Sequence, residues 1–195
     1  MRRGATAALA VLAVAPIGVV IAVGHVKSYL DSCEAATIDD LRTVRRAQAI
    51  YAEHNAGFFD ALECVGAPPT CLKSYPSDDA TGLEPGLASL ETRSGYVRTL
   101  FRGPAVSSNI IAEKGVSATS IRSYAYVAVP SARLVQLTTV FRVQPSGLHS
   151  FCTDGGEALW YRDDGTMPPP IGGRCPAEQC KPMAQASTSP RLASR

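Results

Sequence analysis

Charge is scarce in this chain and evenly split. Asp, Glu, Lys and Arg make up 18% of its 195 residues, and 19 basic against 17 acidic side chains leave a formal charge of +2. A nucleic-acid binder carries a basic face or stripe, so this balance argues against that class. The 46% apolar content argues against a polar disordered chain. Histidine is rare, with three residues, and none of the six cysteines stands in the C-x2-C spacing of a zinc site. No G-x-S-x-G, H-E-x-x-H or phosphate-loop motif occurs, and there is no internal repeat. His25, His54 and His149 stand apart with nothing to bring them together. The expectation is a protein that acts by association. It has no catalytic residue, no cofactor and no small-molecule substrate, and is not an enzyme.

Charge is missing altogether from residues 5–24, ATAALAVLAVAPIGVVIAVG. About 20 apolar residues at 1.5 Å each reach the ~30 Å of a bilayer core. Arg2 and Arg3 precede the run, which places the amino terminus in the cytoplasm and the rest outside. Pro16 would kink such a helix without preventing a span. The sequence therefore predicts a basic terminus at 1–4 and a transmembrane anchor at 5–24. The other reading is a secretory signal peptide cleaved near Ala22-Val23-Gly24, which the length of the run disfavours. Either way the remainder reaches an oxidising compartment.

Residues 27–55 contain neither Pro nor Gly. At 100° per residue, Leu30, Cys33, Thr37, Leu41, Val44, Gln48 and Tyr51 share one face, with Ile38 and Ala52 at its edge. Asp31, Arg42, Arg46 and Glu53 lie away from it, and Asp39 with Arg42 makes a solvent-side i, i+3 pair. Asn55-Ala56-Gly57 is a stop signal. An apolar helix thus passes unbroken into an amphipathic one. The packing face of Leu41, Val44 and Tyr51 is expected to hold a head domain.

That head is predicted over 25–182, with a disordered tail at 183–195. Residues 83–90 read as a helical turn or two, 96–102 and 123–129 as strands, and 134–143 as a further strand. Residues 148–152 and 158–162 read as a hairpin around Thr153-Asp154-Gly155-Gly156-Glu157. Residues 105–119 show no period and read as a loop. In an exported domain the cysteines are expected to pair, Cys64 with Cys71, and Cys152 with Cys175 or Cys180. The first bridge would constrain the unfolded chain by roughly 2–2.5 kcal/mol. Cys33, near the membrane end of the helix, is expected to pack.

Glu34-Ala35, then Leu41-Arg42-Thr43-Val44, Ala47-Gln48 and Tyr51, resemble the membrane-proximal helix of bacterial type IV pilins and type II secretion pseudopilins. Ser94-Gly95-Tyr96, the Tyr124 to Val129 strand, Phe151-Cys152-Thr153-Asp154, Trp160-Tyr161 and Asp164-Gly165 are similar to the sheet of those heads. The resemblance covers residues 33–102 and 121–165. It implies an α+β fold, with a long amino-terminal helix, membrane-spanning in its first half, packed on a small antiparallel sheet. It also implies a single-pass protein of the bacterial inner membrane, with the head in the periplasm or outside the cell. The implied partners are the membrane and other pilin-like subunits. Some pseudopilins bind calcium late in the head, which makes Asp154, Asp163 and Asp164 candidates, although six to eight oxygens are needed and solvated turn carboxylates are the plainer reading. One departure stands out. The family carries an acid five places into the mature helix that pairs with a neighbouring subunit, and residues 5–24 hold none. The expectation is a minor or non-polymerising component.

Overall fold

A computed structural model describes residues 5–183 apart from 77–78, 142–147 and 157, with side chains from Val23 onward. Most of the uncharged run, the last two residues of the expected 134–143 strand, Glu157 and the expected tail from Ala184 fall outside the described side chains. Among the described residues no helix is long and apolar enough to cross a membrane.

The fold is α+β. Helix α1 runs over Ala5–His54 without interruption. Its described apolar stripe is buried, with Leu30, Cys33, Leu41, Val44, Ala47 and Tyr51 all 5% exposed or less. The polar side carries the Lys27–Asp31 and Asp39–Arg42 pairs at 3.0 and 2.9 Å. Left-handed backbone at Ala56 and Gly57 then ends the helix, and the Gly57 N–H donates to the Ala52 carbonyl.

The stripe lies on a five-stranded antiparallel sheet ordered as in sequence: β1 Tyr96–Arg102, β2 Tyr124–Pro130, β3 Ser150–Asp154, β4 Leu159–Arg162 and β5 Lys181–Pro182. The register places Tyr96, Arg98 and Leu100 of β1, Tyr126 and Ala128 of β2, and Phe151 and Thr153 of β3 on the face toward α1. Ala125, Val127, Cys152 and Trp160 point to the other face, where Met167 and Cys175 from the irregular segment after β4 cover them. The sheet is thus packed on both sides, by a helix and by a strap.

Short helices fill the connections: α2 Leu62–Gly66, α3 Pro85–Ala88, α4 Ser108–Lys114 and α5 Ala132–Val140. The last two correct the sequence reading. Residues 134–143 were expected as a strand from their Val and Thr content. Instead Pro130 closes β2, and the Ser131 hydroxyl caps a helix by accepting from the Leu134 N–H at 3.3 Å. Leu134 and Thr138, at i and i+4, then face the core, while Val135 and Val140 are exposed. The expected loop at 105–119 holds α4, closed by a left-handed Gly115. None of its residues is buried, so no apolar period was there to read. Met183, expected as the first residue of the tail, packs against the core and its N–H donates to the Leu159 carbonyl at 2.7 Å.

Candidate functional site

The residues singled out as the helix packing face lie along the seam between α1 and the sheet. Leu41, Val44 and Tyr51 are fully buried there. The end of α1 is sewn to the segments that follow it. Gln48 Nε2 donates to the Asp60 carbonyl at 2.7 Å, and the Asp60 N–H donates back to Gln48 Oε1 at 3.2 Å. The Tyr51 hydroxyl donates to Asp60 Oδ2 at 3.0 Å. Burial, and then the Asp60 charge, push that phenol well above its ordinary range, so it remains a donor. Asn55 Nδ2 donates to the Phe58 carbonyl and the Ser120 hydroxyl, each at 2.9 Å.

Two acids of α1 cross the seam as well. Asp40 pairs with Arg98 of β1, whose side chain is wholly buried and also donates to the Glu91 carbonyl at 3.0 Å. Arg93 stands 4.0 Å from the same carboxylate and bridges to Glu84 at 2.5 Å. Desolvation raises the Asp40 carboxyl above its ordinary value, and Arg98 and Arg93 oppose it. Glu34 Oε1 accepts from the His149 N–H at 2.8 Å, and its two oxygens lie 2.9 and 3.0 Å from His149 Nδ1. His149 Nε2 is 3.5 Å from Asp163, which also pairs with Lys181. The Tyr96 hydroxyl donates to the His149 carbonyl at 3.1 Å. Glu34 and His149 line one side of a groove of about 450 Å³ whose other lining residues include Ile38, Phe151, Tyr161 and Met183.

Geometrically this cluster is a clamp. A general base needs a ring nitrogen turned toward a substrate proton. Here both nitrogens of His149 face carboxylates from different elements. His54 lies elsewhere, 3.3 Å from Asp79, and His25 is exposed.

The hairpin carboxylates do not act as one set. Asp154 takes the N–H groups of Gly156 and Cys175 at 2.9 and 3.0 Å. Asp163 is held by Lys181 and His149. Asp164 accepts from Arg162 Nε at 3.2 Å and from the Thr166 N–H and hydroxyl, both at 2.9 Å. The Arg162 and Thr166 hydrogen bonds hold its carboxyl at about 2. Among the described residues no group of three His, Cys, Asp or Glu side chains is placed to hold a metal ion.

Disulfides join Cys64 to Cys71 and Cys152 to Cys175, with Cα separations of 5.5 and 5.9 Å. Of the two partners open to Cys152, Cys175 is the one the strap presents, because its N–H is anchored on Asp154 beside β3. Cys180 is half-buried with its thiol 3.6 Å from the Met167 sulfur, and Cys33 is buried. Alkylation of protein made in the periplasm, followed by mass spectrometry, is expected to find four blocked cysteines. Cys180 should react slowly, since burial pushes its thiol up, and Cys33 only after unfolding. Six reactive thiols in the folded protein would overturn both bridges.

Glu34, Asp40, Arg98, Asp60 and His149 are the seam residues that reading the helix face alone left unassigned. A signal existed for two of them. Glu34 stands four places after Leu30 and three before Thr37, and Asp40 stands three after Thr37 and four before Val44, so both acids sit on the buried stripe. An acid in such a position requires a partner from another element. No protein-family model, curated protein or solved structure matches the chain.

Proposed function

We propose that this chain is a membrane-anchored, pilin-like structural protein, a minor or non-polymerising component of a type IV pilus or type II secretion-like system. The observation that carries the reading is one continuous helix, Ala5–His54, whose later part supplies the buried stripe of an antiparallel-sheet head. The uncharged residues 5–24 at its start have about the length of a bilayer core. The motif from Glu34 to Tyr51 supports the same reading, because its apolar members pack while Arg42 stays in solvent. The head would sit in the periplasm or outside the cell, on a single pass through the bacterial inner membrane. Its partners would be that membrane and other pilin-like subunits.

The missing acid in residues 5–24 is the reason for assigning a minor role. A carboxylate in a low-dielectric layer is costly and is kept for a partner. Without it, the contact that ordinary subunits make with the one ahead has no donor–acceptor pair.

Fractionation of expressing cells tests the reading. The protein is expected to stay with membranes through carbonate washing and to leave them only in detergent. A soluble form beginning at His25 would replace the anchor with a cleaved signal, and the reading with that of an exported disulfide-bonded binding domain. Co-expression with a pilus or secretion machinery, followed by shearing, is expected to give filaments in which this chain is scarce or absent. Filaments built mainly of it would refute the minor role.

A further inference from the structure

A second cavity, of about 360 Å³, lies at the opposite end of β3 from the Glu34 clamp, where the β3–β4 loop meets the strap. Its chemistry differs from that of the Glu34 groove, whose charged groups are all paired. Arg122 and Arg174 both line it and both are exposed, and among the described residues neither guanidinium has a hydrogen-bond or ion-pair partner. We propose that this pocket binds an oxyanion, a carboxylate or phosphate group on a small ligand, clamped by Arg122 and Arg174.

The walls suit such a ligand. The guanidinium fork matches two oxygens of a carboxylate or phosphate and is weakly hydrated, so it gives up water at modest cost. Gly155, Gly156 and Gly173 complete the lining and add no side chains of their own. Phe59 forms an apolar wall. It lies so close on Gly155 that a Cβ there would meet its ring at 2.7 Å. The pocket's one described acid, Asp154, is already committed, with one oxygen on the Gly156 N–H and the other on the Cys175 N–H.

Both arginines hang from backbone that is fixed. The Arg122 N–H donates to the Pro104 carbonyl at 2.9 Å. Arg174 sits between the Cys152–Cys175 bridge and Gly173, which has φ +69° and whose Cβ would fall 2.6 Å from the Gly103 nitrogen. With the backbone fixed on both sides, the ordering cost on binding is confined to the two arginine side chains. The pocket shares no lining residue with the Glu34 groove, and the proposal does not rest on the association proposed above.

The test uses the full chain, ¹⁵N-labelled in detergent micelles, titrated separately with inorganic phosphate and with glucuronate. Saturable amide shifts confined to Gly155, Gly156, Gly173 and the two arginines are expected with at least one anion. Arg122→Gln and Arg174→Gln should each weaken that binding by about tenfold. Arg46→Gln, an exposed arginine on α1, should leave it unchanged. Phosphate alone binding would assign the phosphate source, and glucuronate binding more tightly would assign an acidic sugar. Shifts spread over every exposed basic residue, equal behaviour of all three variants, or no shift with either anion would overturn the proposal. All three replaced side chains are exposed, and unchanged amide dispersion in the ligand-free variants checks that the fold is intact.

Discussion

Arg98→Met is expected to destabilise the head by about 3–5 kcal/mol at neutral pH, the range for a buried charge stripped of its partner. The Arg98 side chain is fully buried and that of Asp40 is 11% exposed, so water cannot replace what is lost. Arg93, at 4.0 Å, remains near the stranded carboxylate and holds the effect toward the lower end. The penalty should depend on pH, with a definite sign. The Asp40 carboxyl stands above its ordinary 3.8 in the folded state because desolvation outweighs Arg98. The folded state therefore binds this proton more tightly than the unfolded one. Stability from this group falls as pH rises through that window and is regained as pH is lowered. Removing Arg98 deletes the largest opposing effect, so the window moves up. Urea unfolding at pH 7 and at about pH 4.5 should show the mutant's deficit shrinking in acid. A deficit equal at both would mean that Asp40 is not the group left exposed to the change. Pairing Arg98→Met with Asp40→Leu should recover most of the loss, since an apolar pair of similar volume needs no counter-charge.

Leu41→Asp should cost roughly 2–5 kcal/mol, combining lost packing with a carboxylate placed at a wholly buried position. The neighbouring Arg42→Ala should change stability by less than ~0.5 kcal/mol, because it removes only one exposed i, i+3 pair. The contrast between adjacent residues is the measurement. Two variants that unfold at the same urea concentration would mean that the helix does not present Leu41 to the sheet.

The α1 stripe was readable in the chain because helical period is local information. Leu30, Cys33, Thr37, Leu41, Val44, Gln48 and Tyr51 repeat every three or four places, and no distant residue is needed to see it. The strand 96–102 and the hairpin around Gly155-Gly156 were readable for the same reason, alternation closed by Gly and Pro. The Cys64–Cys71 bridge was expected from a short spacing once the chain was read as exported.

The helix α5 was not readable. Val135, Thr138, Thr139 and Val140 favour strands by composition, and what decided the matter was a Ser131 cap and a core site for Leu134 against Gly95. The choice of Cys175 over Cys180 depended on a strap laid across the outer face of the sheet, and two cysteines five places apart carry no record of that path. The charged clamps are the clearest case. Glu34 lies 115 residues from His149 and Asp40 lies 58 from Arg98. A periodic pattern can mark an acid as buried, but its partner is a matter of which strand the register brings beside the helix. Local sequence therefore settled which residues turn inward, and the tertiary packing alone settled which inward charges meet, because each such pair joins elements whose separation along the chain holds no information about their distance in space.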